Sequence, residues 1–419
     1  MHEMKNSGVD WIGEIPVTWQ LYKMKYLGKY INGFPFKPDD WGNAGKPIIR
    51  IQDLTGTNKE PNYFEGELDS KYLVADGDIL VSWAATLDAF EWKGGESWLN
   101  QHIFKAIPNT DIVEKAFFIW LLKTSMKHMN DDNKHGIVMQ HVTLPVFNNF
   151  IVALPSHVEQ KRLSATLCRG VSRVDSLIAN QEAQIKKLKA YKQSLITEVV
   201  TKGLDPTAPM KDSGVEWIGE IPAHWSIMPS KYLFANSDER RRDNDVQLTA
   251  SQKYGMISQE EYMRRENARI VLADKGLENW KHIEPFDFVI SLRSFQGGLE
   301  MSEVTGCATW HYIVLRARKE LHPYYYKWLF KSTMYITALQ RTCNYIRDGQ
   351  DLRYSNFVKV SLCVPTLGEQ VQIANYLDAK CAKIERLIAI KQAKIEKLEQ
   401  YKKSLIYEYV TGKKEVVNG

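Results

Sequence analysis

The chain has 419 residues, 44% hydrophobic and 25% charged, which is the balance of a folded protein two or three domains long and excludes disordered, collagen-like and disulfide-scaffold chains. No apolar run reaches the ~18 residues that cross a bilayer, and Met1–Lys5 lacks a signal-peptide apolar core, so a cytoplasmic protein is expected. Five scattered cysteines without a CxxC exclude a zinc knuckle and a redox pair, and a net charge of +5 is too small to argue for nucleic acid by itself.

In chain order, Ser7–Trp19 reads SGVDWIGEIPVTW, with Trp11 and Trp19 expected as core anchors. Residues 47–51 and 78–82 have the β-branched run of strands, Pro61, Gly66, Gly77 and Gly94-Gly95 mark turns, and Ala116–Met126 has helical periodicity. Ser156-x-x-Glu159, just after a proline, is a capping box that opens a long helix. From Leu167 to Val199 its apolar positions step by four and three, a heptad seam interrupted by Gln181 and Lys192. Gly203 and Pro206 stop it. Then SGVEWIGEIPAHW returns at Ser213–Trp225, identical at ten of thirteen positions, with Trp217 and Trp225 as the second pair of anchors. Strands are expected at 287–291 and 312–315, a turn at Gly297-Gly298 and a helix over Pro323–Leu339. Thr366-x-x-Glu369 opens a second long helix whose seam runs Leu377 to Tyr409 before Gly412.

The chain is therefore a tandem duplication with like frames and divergent inserts, since 19 of 48 positions match between 154–201 and 364–411. The expected domains are 1–153, a helix over 154–203, 204–363, a helix over 364–412 and a tail over 413–419. The inserts read as mixed α/β. A stripe of two residues in seven is narrower than a globular core face, so the two helices are expected to pair with each other. Gln181 and Lys391 hold the same heptad position and are expected to meet if the pairing is antiparallel, with Tyr191 and Tyr401 beside them.

WIGEIPxxW opening each half, a Pro-Ser/Thr-x-x-Glu-Gln helix start after each insert, and their duplicated order resemble the specificity (S) subunits of type I restriction–modification enzymes. The resemblance covers essentially the whole chain. It implies an α/β (α+β) fold: two target recognition domains separated by two long antiparallel coiled-coil helices, with pseudo-two-fold symmetry. It also implies a subunit without chemistry of its own that binds double-stranded DNA and carries modification (M) subunits, which use S-adenosylmethionine, and restriction (R) subunits, which use ATP and Mg²⁺. No cofactor or metal is expected on this chain.

The residues agree that no catalytic centre is evident. A Walker A run (GxxxxGK then Ser or Thr) is absent, as is the Asn-Pro-Pro-aromatic motif of amino-methyltransferases. Asp78 followed by Glu91-Trp92-Lys93 has the spacing of a metal-dependent nuclease, but the second half pairs Asp287 with Glu300-Met301-Ser302 and no lysine. His135 and His141 lack ligand partners at metal spacing. DNA contact calls for Arg, Lys, Asn, Gln and hydroxyl side chains on loops. The candidates in the first insert are Arg50, Gln52, Ser82, Trp83, Thr86, Gln140 and His141. In the second they are Arg240, Arg241, Arg242, Gln252, Lys253 with Tyr254, Arg293, Ser294, Gln296, Arg347 and Gln350. The first segment carries 15 basic and 19 acidic side chains, net −4, so any DNA-binding face there is local or shared with M subunits. The expectation is a non-catalytic DNA-recognition subunit reading a bipartite, asymmetric target. The alternative is a coiled-coil adaptor without DNA specificity, with a nuclease third.

Overall fold

A computed structural model describes residues 3–58, 60–132, 142–269, 275–291, 294–343 and 352–416. The chain forms two compact units, Met1–Gln181 with Ala393–Gly419, and Glu182–Gln392. Each unit takes part of both long helices, the central helix His157–Lys202 and the distal helix Leu367–Val410.

In the first unit a four-stranded antiparallel sheet runs in the order Gly28–Asn32, Ile103–Pro108, Ile79–Ser82, Asp88–Glu91. Its apolar residues, among them Ile79, Val81 and Phe104, face the helix Lys115–Asp132, which supplies Phe117, Phe118, Leu121 and Leu122 to the same core. A second sheet orders Asn62–Phe64, Lys46–Ile49, Ser97–Leu99 and Leu73–Val74.

The second unit repeats this plan. Its four-stranded sheet is Phe234–Ser237, Ile313–Ala317, Phe288–Ile290, Glu300–Met301, the same order with shorter strands. Gly306–Ala308 pairs antiparallel with Lys281–Ile283 and makes a parallel bridge to Gln247, as Ser97–Leu99 does with Leu73–Val74 and Lys46–Ile49. Two expected elements differ. The strand expected over 47–51 ends at Ile49, and Ile51–Leu54 is a helical turn because the Asp53 carboxylate accepts the Arg50 amide at 2.7 Å. The helix expected over Pro323–Leu339 is two, Pro323–Lys331 and Thr333–Arg341. Ser332 breaks it: extended at ψ 140, its hydroxyl donates to the Leu329 carbonyl at 2.8 Å and accepts the Tyr335 amide at 3.3 Å, so it stops one helix and caps the next.

Both inserts rise from a two-stranded neck. Gln20–Lys23 pairs with Ile151–Leu154, and Ser226–Pro229 with Ser361–Val364, all through main-chain hydrogen bonds. Just outside each neck lies the repeated tryptophan. Trp19 is 1% exposed, and its indole N–H donates to Glu159 at the start of the central helix (3.2 Å). Its ring also reaches the end of the distal helix, where a Cβ on Gly412 would fall 3.2 Å from it. Trp225 does the same with the roles exchanged: its N–H donates to Glu369 at the start of the distal helix (3.0 Å), and a Cβ on Gly203, ending the central helix, would lie 3.2 Å from its ring. Both glycines have φ near +75°, which is the left-handed helix stop as well as room for the ring. The Gln that follows each Glu fastens the other side: Gln160 accepts the Glu114 amide at 2.7 Å, and Gln370 accepts the His322 amide at 2.9 Å. The repeated WIGEIPxxW and PxxEQ motifs are thus the two halves of one clamp.

Within each unit the long helices are antiparallel, since numbers rise on one as they fall on the other. In the first unit Leu163 and Leu167 share a core with Leu405 and Tyr409, and Lys402 bonds Asp175 at 2.6 Å. In the second, Leu195 and Val199 share a core with Ile373 and Leu377, Lys192 bonds Glu385 at 2.5 Å, and Lys391 donates to Gln184. The expected Gln181–Lys391 pair is therefore corrected: Lys391 meets Gln184, about one helical turn along. In an antiparallel pair equivalent positions of the repeat meet only at the centre, and the Lys192–Glu385 and Lys402–Asp175 pairs put that centre near residue 184 and not at 181. Replacing Gln184 and Lys391 together by Leu is expected to raise the melting temperature while weakening the register, which disulfide trapping between the helices would register as new cross-link positions.

Candidate nucleic-acid interface

In the first unit the structure brings Arg50, Gln52 and Thr86 to one cleft of about 400 Å³. Arg50 caps the turn Ile51–Leu54, its guanidinium lies 5.7 Å from the Trp41 ring centroid, and it donates to Asn58 at 3.4 Å. Facing it is the loop after strand Ile79–Ser82, where Ala85 has φ +58°, a conformation that costs energy for a residue with a Cβ and tends to mark functional loops. Thr86 and Gln52 are exposed. Ser82 and Trp83 do not line this cleft: Ser82 is buried and donates to the Ala84 carbonyl at 3.1 Å, and Trp83 packs behind it on Phe104 and on His102 of the lining.

In the second unit Gln252 is exposed and lies against the turn Ser294–Gly297, so close that a Cβ on Gly297 would fall 2.2 Å from its Nε2. Gln296, on that same turn, is exposed, while Ser294 is buried and accepts the Ser291 amide at 2.9 Å. Lys253 bonds Glu266 at 3.0 Å and lies over the Tyr254 ring, which Arg265 covers too. Arg240 donates to the Asn279 carbonyl at 2.8 Å and Arg241 to the Asp243 carbonyl at 3.5 Å. Gln140, His141, Arg293, Arg347 and Gln350, together with His135, lie outside the described residues.

Arg242 has a structural engagement that its sequence position hides. It bonds Glu239 at 2.6 Å and Glu284 at 3.0 Å, inside a network where Arg316 joins Glu239 to Asp287 and fully buried His282 bonds Asp245 and Glu284 at 2.8 Å each. Burial works to lower the pKa of His282, but hydrogen bonds to Asp245 and Glu284 outweigh it and hold the ring above its usual 6.5. Hydrogen bonds from Arg316 and Arg242 hold Glu239 low, and one from His282 does so for Glu284. A histidine raised in the folded state stabilises fully below its unfolded pKa and loses that contribution as pH rises through the folded value. The carboxylates stabilise above their usual 4.5 and lose it as pH falls. Amide exchange in strand Lys281–Ile283 should therefore be slowest between about pH 4.5 and 6.5 and quicken, beyond its intrinsic pH dependence, as the pH rises above that window. His282→Gln should remove that extra dependence; an unchanged profile would refute the network's role.

The nuclease-like pattern resolves into ion pairs. Asp78 bonds Lys105 at 2.7 Å and accepts the Ala75 amide at 2.9 Å, and Asp287 bonds Arg316. Glu300, which has no lysine near it in sequence, receives one in space: the half-buried Lys331 pairs with it. Among the described residues no group of three or more His, Cys, Asp or Glu is placed to hold a metal.

Asn100, Gln101 and His102, which line the Arg50 cleft, and their counterparts Thr309, Trp310 and His311 are not among the candidates drawn from the sequence. The first joins Ser97–Leu99 to Ile103–Pro108 and the second joins Gly306–Ala308 to Ile313–Ala317, in each unit the second strand of the main sheet. An exposed Trp in a TWHY run was the one available signal.

The chain is a tandem of two units of one fold, each setting different polar loops at the same topological places. Residues 16–190 match the model of the type I restriction modification DNA specificity domain. The EcoBI specificity subunit of Escherichia coli is 26% identical over 48% of this chain and 42% of its own length, so that match spans less than half of the relative. The putative MjaX specificity subunit of Methanocaldococcus jannaschii is 23% identical over 97% of this chain and 96% of its own. A solved chain described under the complex assembly and conformational transition of the type I R-M system superposes with TM-score 0.67 at 15% identity, covering 94% of this chain and 98% of that one. The chain is thus similar to specificity subunits of type I restriction–modification systems over most of its length, with the DNA specificity domain matched at residues 16–190 and the fold shared with the solved chain.

Proposed function

We propose that this chain is the DNA-recognition subunit of a type I restriction–modification complex, reading a bipartite asymmetric target with one half-site per unit. It directs two modification subunits and the restriction subunits to that target. Those partners supply the chemistry with S-adenosylmethionine, ATP and Mg²⁺, and this chain supplies none. The observation that carries the reading is the pairing of a repeated frame with unlike loops. The clamp, neck and sheet order recur in both units. The residues that follow the matching strand differ, Arg50 and Gln52 in one against Gln252 and Lys253 in the other. Equal frames with equal loops would read a palindrome; unequal loops read two different half-sites. The reading predicts that DNA from cells expressing this chain with its modification subunit carries methyladenine at one split, non-palindromic motif. Loss of the chain should abolish that methylation everywhere. Methyl transfer by the isolated chain, or an unsplit motif, would overturn it.

A further inference from the structure

The two connectors that sequence reasoning missed occupy the same place in each unit, yet their chemistry is opposite. In the first unit the connector 100–102 presents two amides and an imidazole beside Arg50 and Gln52. Its backbone is held from behind: the Phe34 amide donates to the Leu99 carbonyl at 2.8 Å, and the Gln101 amide to the Phe34 carbonyl at 3.0 Å. Gly33 makes this approach possible, because a Cβ there would sit 2.0 Å from the Asn100 carbonyl oxygen. The side chains are thus displayed from a rigid edge, as geometric readout requires.

In the second unit the connector 309–312 is a turn closed by the Tyr312 amide and the Thr309 carbonyl at 3.0 Å. It displays Trp310, 55% exposed, stacked on His311 with ring centroids 3.5 Å apart. An indole more than half in water on a short turn contributes little to the core, and the His311 ring stacked on it preorganises it as a flat apolar face.

Resting on the recognition function proposed above, we infer that these connectors are the half-site discriminators. Asn100 and Gln101 read base edges through their amides, whose donor–acceptor pair matches adenine N6 and N7 in the major groove. Trp310 reads by apolar contact, its face against a thymine methyl or an opened base step. The first half-site is then selected by hydrogen bonds and the second partly by shape and apolar surface.

The test is selection of bound sites from a randomised duplex library by the full chain assembled with its modification subunits, at one stated salt concentration. Asn100→Ala with Gln101→Ala should relax preference at one or two positions of one half-site, by roughly ten- to a hundred-fold, the discrimination a good base contact provides. Trp310→Ala should relax positions in the other half-site alone, and Trp310→Phe should restore part of that preference. Asn100 and Gln101 are half-buried and Trp310 is exposed, so the folding of each variant is checked by an unchanged thermal melt. If both variants keep the wild-type motif, if either relaxes both half-sites, or if affinity falls equally for all sequences, the connectors are not discriminators. If the wild-type complex selects no split motif, the functional reading itself falls, and this inference with it.

Discussion

Replacing residues 24–150 with the matching segment of a related chain is expected to change one half of the DNA target and leave the other as it was. The boundaries follow from the neck. An exchange beginning at residue 20 would replace Gln20–Lys23 while leaving its partner Ile151–Leu154 in place. Starting at Met24, where the amide donates to the Phe150 carbonyl at 2.9 Å, keeps that pair intact and moves only what rises from it. The Trp19 clamp and the helix seam stay native, so the exchange tests recognition and not folding. Sequencing methylated DNA from cells carrying the hybrid gives the new motif. A change in both half-sites would mean that the units do not read independently.

Trp225→Ala is expected to cost about 3–5 kcal/mol, the range for deleting a buried aromatic side chain. Trp225 is 1% exposed, and its removal empties the space between the end of the central helix and the start of the distal helix within the second unit. It also takes one hydrogen bond from Glu369. That carboxylate is partly buried, which would raise its pKa, yet hydrogen bonds from Thr366, Trp225 and His224 hold it down at about 2. A carboxylate depressed on folding stabilises above its usual 4.5 and loses that contribution as pH falls toward 2, so wild type should destabilise over this window more than Glu369→Gln does. Trp225→Phe keeps most of the ring and should recover most of the loss. Thermal melts of the three variants at pH 7 and pH 3 check both points, and a Trp225→Ala melt within a degree or two of wild type would refute the clamp.

The frame was legible because its signals are local or repeated. Ser156 and Thr366 with their glutamates read as helix starts, Gly203 and Gly412 as stops, and the structure places all of them there. The strand cores at 79–82 and 288–290 were legible from β-branched runs. What could not be read depended on partners distant in sequence. Lys331 reaches Glu300 and Arg316 reaches Asp287 only once the sheet has formed. Arg242 looked like a free cation beside two others, while its carboxylates lie at 239 and 284. The break at Ser332 was hidden because its flanks keep one apolar periodicity across two helices. The connectors 100–102 and 309–312 are too short to carry a pattern, and their importance comes from topology alone.

The division of the chain into units has a consequence for its synthesis. The second unit is one continuous stretch, Glu182–Gln392, and is complete when that stretch has left the ribosome. The first unit is not: Leu163 and Leu167 of the central helix wait for Leu405, Tyr409 and Val410. At ~5–20 residues per second, the more than two hundred intervening residues leave that seam uncovered for roughly ten to forty seconds. The half that is translated first is therefore the half that finishes last. During that interval its apolar stripe is open to chaperones, to neighbouring nascent chains, and to any other helix that offers a matching seam.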